Sequence, residues 1–349
     1  MRKNMLSKTL VMGVIVLFVV MSFTSISGIQ IDKNIIISSG MGSILYVGGS
    51  GEGNYTRIQD AIDNASDGDT VYVYDDSSPY NENLNVDKSI TLKGENKETT
   101  VINGIGHEIG VNISSDNVVL SGFTIENYDN QSRSIIGLIT ILSDYNVISD
   151  NIILAGNAWS GVEISESEYN TISSNIISCS FGIFMAFGKN NNITKNIIKD
   201  CFYGIDLGFY SNNNSITWNN LINNTCGITT GFFCINDIIS YNNISYSDNG
   251  IIAFNCFNYK ITNNNFIKNF VNTRVGYLLI GVLSFGFEFK SLRDIRSTIK
   301  WDGNYWNRPR LLPKPIFGRI SSINIPWFQF DWHPAQEPYD IPSIQGFGI

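Results

Sequence analysis

Histidine is nearly missing from this chain: among 349 residues only His107 and His333 occur. Proline is sparse, at 8 residues, and only 15% of the chain is charged. Basic residues are outnumbered, 23 Lys and Arg against 31 Asp and Glu, for a net charge of −8. That balance excludes nucleic acid as the expected partner, because polyanion-binding surfaces are basic. The five cysteines are Cys179, Cys201, Cys226, Cys234 and Cys256, with no C-x-x-C and no Cys/His metal spacing. An odd number without a dense pattern argues against a disulfide scaffold. The expectation is small, buried and unreactive thiols.

The N-terminus reads as an export signal. Arg2, Lys3 and Lys8 precede an apolar run from Leu10 to Phe23, followed by the small residues of Ser25-Ile26-Ser27-Gly28. The run is short for a bilayer span, which needs about 20 residues. A leader over 1–28 and a linker over 29–43 are therefore expected, with a retained anchor as the alternative, and the body is expected to be secreted or at the cell surface. Eight N-x-S/T sequons, at Asn54, Asn64, Asn112, Asn130, Asn192, Asn213, Asn223 and Asn243, would allow a glycoprotein in that setting.

What the chain has in abundance is repetition. An Ile followed three residues later by Asn recurs as Ile148/Asn151, Ile172/Asn175, Ile193/Asn196, Ile216/Asn219, Ile239/Asn242 and Ile261/Asn264. A second ladder has Gly before an apolar residue, at Gly137, Gly161, Gly182, Gly204, Gly227 and Gly250. Both have a period of about 22. Between the markers lie short alternating pieces such as Val162-Glu163-Ile164 and Ile205-Asp206-Leu207. Period-two patterning rich in Ile and broken by Gly or Asn is strand patterning. One coil per repeat, stacked at the roughly 4.8 Å strand spacing, gives a parallel β-helix solenoid. The Ile column points inward. The column Asn151, Asn175, Asn196, Asn219, Asn242 and Asn264 forms a structural ladder at a bend, where Asn tolerates left-handed backbone and its amide can bond the next coil.

The solenoid is expected over 44–272, with a last irregular coil and a cap over 273–349. Ile58, Ala61, Ile62 and Ala65 have helical spacing after Thr56, a plausible N-cap, and would form a helix closing the first end. The uncharged run Val275 to Phe287 reads as buried or interfacial. Residues 290–319 are basic, with eight Lys and Arg against Asp294 and Asp302, which leaves the C-terminal cap as a candidate for attachment to a surface. Trp301, Trp306, Trp327 and Trp332 are expected to plug the open core.

The segments IQDAIDNASDGDTVYV, ENLNVDKSITLKGE and NVVLSGFTIEN resemble the opening of NosD-type and related pectin-lyase-like proteins, and WDGNYWNRPR resembles the Asn-Tyr-Trp closing segment of archaeal members. The resemblance implies right-handed coiling and a grouping of carbohydrate-binding proteins and sugar hydrolases. It also implies a copper association, in maturation of nitrous oxide reductase. With two His far apart, the residues give copper little support.

Three functions follow as alternatives. The first is a non-catalytic binding or structural protein with a polysaccharide or cell-surface glycan as partner. Its candidate contacts are Trp159, Phe184, Tyr203, Tyr210 and Trp218, whose faces could stack on sugar rings. The second is a polysaccharide lyase, epimerase or hydrolase. Its candidate carboxylates are Glu163 and Asp206, which share one lateral position two coils apart, about 9.6 Å by strand spacing. Glu163, Glu166 and Glu168 cluster around one coil and could hold Ca²⁺. Gly106-His107-Glu108 only partly matches the Gly-His-Gly motif of hydrolases on this fold. The third is a NosD-like copper maturation factor.

Overall fold

A computed structural model describes residues 42–104, 109–127, 137–277, 299–320 and 325–341. The leader, the linker up to residue 41, His107, Asn130 and most of the uncharged run at 275–287 lie outside the described residues.

The chain winds as a right-handed parallel β-helix, with one short helix among the described residues. One face is an 11-stranded parallel sheet that includes Val147–Ser149, Thr171–Ser173, Asn192–Thr194 and Ser215–Thr217. The remaining strands bend into two further faces, so a coil visits three faces in turn. In one coil these are Thr171–Ser173, then the two halves of Ile176–Ala186, which turn at Gly182. Register follows the repeat: Ile148 lies against Ile172, Ile172 against Ile193, Ile193 against Ile216, and Ile216 against Ile239. All five are fully buried.

The Asn column does its work by side chain. Each backbone N–H donates to the carboxamide oxygen one coil on, as from Asn175 to Asn196, Asn196 to Asn219 and Asn219 to Asn242, all at 3.0 Å. Each amide NH₂ donates back, as from Asn196 to the Ile172 carbonyl at 2.8 Å. The left-handed residue is not the Asn, as the sequence suggested, but its predecessor: Asp150, Ser174, Lys195, Trp218 and Tyr241 all have φ between 55° and 60°. The column continues past a 40-residue gap to Asn304 in the WDGNYW segment and terminates on Asp331.

A second column turns the third face back to the first. Asn146, Asn170, Asn191 and Asn214 each donate their N–H to the next member at 2.6–2.9 Å, ending on Asp237. Each of these residues stands two positions before a ladder Ile, so this column too has a periodic trace in the sequence. All five cysteines are free and buried. Cys201 belongs to a third polar column, its N–H donating to Asn224 at 2.9 Å.

Both ends are closed. Helix α1, Ile58–Asn64, buries Ile58, Ala61 and Ile62. Thr56 is not its cap: the N-cap residue is Arg57, which makes no side-chain cap bond. The carboxylate of Glu82, from the following coil, takes the free N–H groups of Ile58 at 2.9 Å and Gln59 at 3.1 Å. An acceptor brought by tertiary structure is invisible to a local capping rule. At the other end, Lys314–Ile320 and Ile325–Asp331 pair as an antiparallel hairpin. Trp301 and Trp306 are buried beneath it, bonded to Gln329 and Asp331 respectively. Trp332, expected in the plug, is instead 61% exposed.

Candidate functional site

The third face carries the chemistry. In Tyr203–Leu207, Ile205 and Leu207 point inward and are fully buried. Period two then turns Asp206, the fourth of the five strand residues, outward. Its neighbours in register are Phe184 below and Thr229 above, and Glu163 lies below Phe184. Two of the expected site residues therefore flank a ring on one column.

Aromatic rows border this column. On one side Trp159 stacks on Phe181 with centroids 4.6 Å apart, and Phe181 meets Tyr203 at 4.9 Å. Phe184 touches the same row edge-on, 6.1 Å from Phe181. On the other side Phe209 stacks on Phe232 at 5.8 Å, and Phe232 meets Phe254 at 5.3 Å. Tyr203 and Phe209 stand three residues before and after Asp206, so the two rows run along the solenoid axis on opposite sides of the column and overlap in this coil, the first covering the coils of Glu163, Phe184 and Asp206 and the second those of Asp206, Thr229 and Ile252. Trp159 and Phe209 are the most exposed members, at 43% and 38%. Phe181, Phe209, Phe232 and Phe254 were not singled out from sequence. Their signal is recurrence at one slot per coil, visible only once the strand register is fixed.

The other two candidate aromatics lie elsewhere. Tyr210 stacks between Phe187 and Phe233, at 5.9 and 5.2 Å, on the bend beyond the second row. Trp218 stacks on Tyr241 at 4.6 Å, on the bend after the first face.

The two carboxylates differ. Glu163 accepts a hydrogen bond from the Gly137 N–H at 3.2 Å, while burial pushes its pKa up. Burial pushes Asp206 further, to about 7, with no hydrogen bond to the carboxylate to oppose it. A carboxyl that is half protonated near neutrality can give or take a proton there. Tyr203, beside it, is itself raised, by burial first and then by the Asp206 charge.

Metal is a poorer fit. Glu168 is engaged by Lys189 at 3.4 Å and by the Asn190 amide, apart from Glu163. Glu166 sits at a left-handed bend position. Among the described residues no three His, Cys, Asp or Glu side chains converge as a metal-binding group. The thiols are buried in packing slots, and burial raises Cys226 to about 11 and Cys256 to about 12, away from the thiolate a soft metal needs. The described residues do not fit copper.

Comparison with known proteins gives three findings. A family model described as "Periplasmic copper-binding protein (NosD)" matches residues 27–231. A cell surface glycoprotein of Methanothermus fervidus is 30% identical over 221 residues, covering 54% of this chain and 34% of that protein. The chain thus spans about a third of the length of this relative. Among solved structures, DFA-IIIase from Arthrobacter chlorophenolicus A6 in complex with GF2 superposes with a TM-score of 0.52 at 12% identity, over 76% of this chain and 86% of that one. The same enzyme in complex with DFA-III gives 0.50 at 11% identity, over 86% of each chain. At such identity the likeness is one of fold.

Proposed function

The chain belongs to the NosD family, and from that premise we propose that it is an exported β-helix protein of the cell surface that binds an extended polysaccharide along its third face. The location is supported by the family's periplasmic description and by the relative named a cell surface glycoprotein. An export leader over residues 1–28 is part of the proposal.

One observation carries the binding role: two aromatic rows parallel to the axis, with polar floor positions between them. The first row serves three coils and the second takes over in the coil of Asp206, so a linear polymer lying along the axis meets a ring at each of five successive coils and changes side at Asp206. Aromatic faces match the apolar faces of sugar rings, and Glu163, Asp206 and Thr229 supply acceptors and a donor for hydroxyls. Many shallow contacts of this kind give affinity through length rather than through one deep pocket.

The experiment is co-sedimentation of the full chain with cellulose, chitin, mannan and pseudomurein-type wall polysaccharide, repeated with W159A/Y203A. Retention of the wild type on at least one polymer, with loss in the double variant, is the expected result. No retention on any polymer, or equal retention of both proteins, would sink the reading.

A second reading, a glycan-cleaving enzyme at the same groove, is favoured by one feature: the raised, unbonded Asp206 carboxyl beside the aromatic floor. In that reading Asp206 gives a proton to the leaving oxygen and Glu163 activates water. Release of reducing ends from a retained polymer, abolished in D206N, would support it. Retention without release would leave the groove as a binding surface.

A further inference from the structure

The C-terminal cap holds a second cleft, remote in sequence from the groove. It has a volume of about 420 Å³. One wall is Ile299–Asp302, the last strand of the 11-stranded sheet, whose outer edge has no strand partner among the described residues. The other wall is the end of the hairpin, with Phe328, Phe330 and Trp332. These three alternate along the strand and so share one side of it. Their rings touch in sequence, Phe328 to Phe330 at 5.4 Å and Phe330 to Trp332 at 5.0 Å.

These rings are not core. Phe328 is 54% exposed and Trp332 61%, while their neighbours on the opposite side of the strand, Gln329 and Asp331, are buried. The hairpin closes the solenoid with its polar residues and turns its aromatics outward. This inverts the usual order for a terminal cap, whose outer face is polar. A contiguous exposed aromatic strip next to a polar cleft marks a binding site rather than packing.

The polar lining narrows the ligand. Asp302 is held by His333, Nδ1 to Oδ1 at 2.9 Å, and by Lys300, Nζ to Oδ2 at 3.5 Å. Its carboxyl is lowered, by the His333 hydrogen bond first and the Lys300 charge after it, so it is a carboxylate at neutral pH. Asp302 still has lone pairs for two hydroxyls, and Lys300 and His333 have unused ring or ammonium positions. Acceptors, donors and flat apolar rings are thus presented together, with the charges nearly balanced. An anionic ligand would meet Asp302, and a fully apolar one would strip water from Asp302 and Lys300.

We propose that this cleft is a chain-end sugar site, taking one or two residues of a neutral glycan with a ring face on Trp332 and adjacent hydroxyls on Asp302 and Lys300. It shares a ligand class with the groove but none of its residues. The groove would hold the length of a polymer and the cap an end or branch.

Calorimetric titration of the full chain with cellotriose, mannotriose and chitotriose tests it, on wild type, W332A, W332F, D302N and Y203A. At least one trisaccharide binds the wild type. W332A and D302N weaken it about tenfold or more, the loss expected for about 1.4 kcal/mol. W332F restores most of the affinity, and Y203A leaves it unchanged. Because Trp332 is exposed, W332A should melt with the wild type, which separates lost binding from lost folding. The proposal is overturned if no trisaccharide binds, if W332A and D302N bind as well as wild type, or if binding is lost only in Y203A, which would return it to the groove. Binding of an extended Val-Thr pentapeptide in place of all three sugars also overturns it, since the open edge strand would then be a peptide site. Failure here with polymer retention intact removes the cap site and leaves the groove standing.

Discussion

Asn196 shows how much of this fold rests on single side chains. Its carboxamide oxygen takes the Asn175 N–H and its amide gives to the Ile172 carbonyl, both fully buried partners. N196A takes away the acceptor of one buried N–H and a donor to one buried carbonyl. Each such group costs roughly 1–3 kcal/mol, so the variant should lose about 2–6 kcal/mol in urea unfolding. A loss below about 0.5 kcal/mol would mean that water replaces the amide, contrary to the packing seen. The ladder was legible because Asn recurs in step with Ile. The left-handed positions were not, because Asp, Ser, Lys, Trp and Tyr share no chemistry. What unites them is the turn imposed by the Asn that follows. Where they are aromatic, stacking between coils helps offset the strain, as in Trp218 on Tyr241.

Asp206 gives a pH prediction at the same scale. Burial raises its folded pKa to about 7. An unfolded Asp titrates near 3.9. Between about pH 4 and 7 the folded state keeps a proton that the unfolded state has lost, so stability falls as pH rises through that window and levels off above it. D206N removes the effect. The variant should melt with the wild type near pH 4 and above it at pH 8, in thermal scans across that range. Asp237, also raised to about 7 by burial, should keep a residual slope in the variant. Equal melting differences at pH 4 and pH 8 would show that Asp206 titrates normally.

At the scale of the element, the corner between the second and third faces explains the glycine ladder. A Cβ on Gly182 would lie 2.3 Å from the Gly204 carbonyl, and one on Gly204 would lie 2.5 Å from that of Gly227. Neither glycine has positive φ. The residue is required by close approach of stacked backbone, not by turn conformation. G204A must spread two coils, at a cost of about 1–3 kcal/mol. It also shifts Tyr203 and Asp206 on either side, so polymer retention should fall along with the melting temperature. A variant that binds and melts like the wild type would contradict this account of the corner. The N-terminal helix marks the limit of local reading. Its spacing was plain in the sequence, but its cap, Glu82, comes from the next coil and carries no local mark.

For the whole molecule, repetition made the architecture readable, since one coil's pattern predicts the next. The groove was readable only in part. Glu163, Asp206, Phe184, Trp159 and Tyr203 were singled out and do meet on one face, because their slots follow from the repeat. Trp218 and Tyr210 lie on other bends, since the exact face of a bend residue depends on which neighbour turns left-handed. The second aromatic row and the cap cleft arise from register and from a hairpin that crosses the solenoid end. The row's recurrence shows only once the strand register is fixed, and the hairpin has no periodic trace at all.

The proposed groove depends on its two aromatic rows holding a polymer along the axis. Affinity electrophoresis through gels containing the polysaccharide that the wild type retains tests it most directly, comparing wild type, Y203A, F209A and the double variant. Retardation of the wild type, partial loss in each single variant and near-complete loss in the double are expected. Full retardation of the double variant would contradict it.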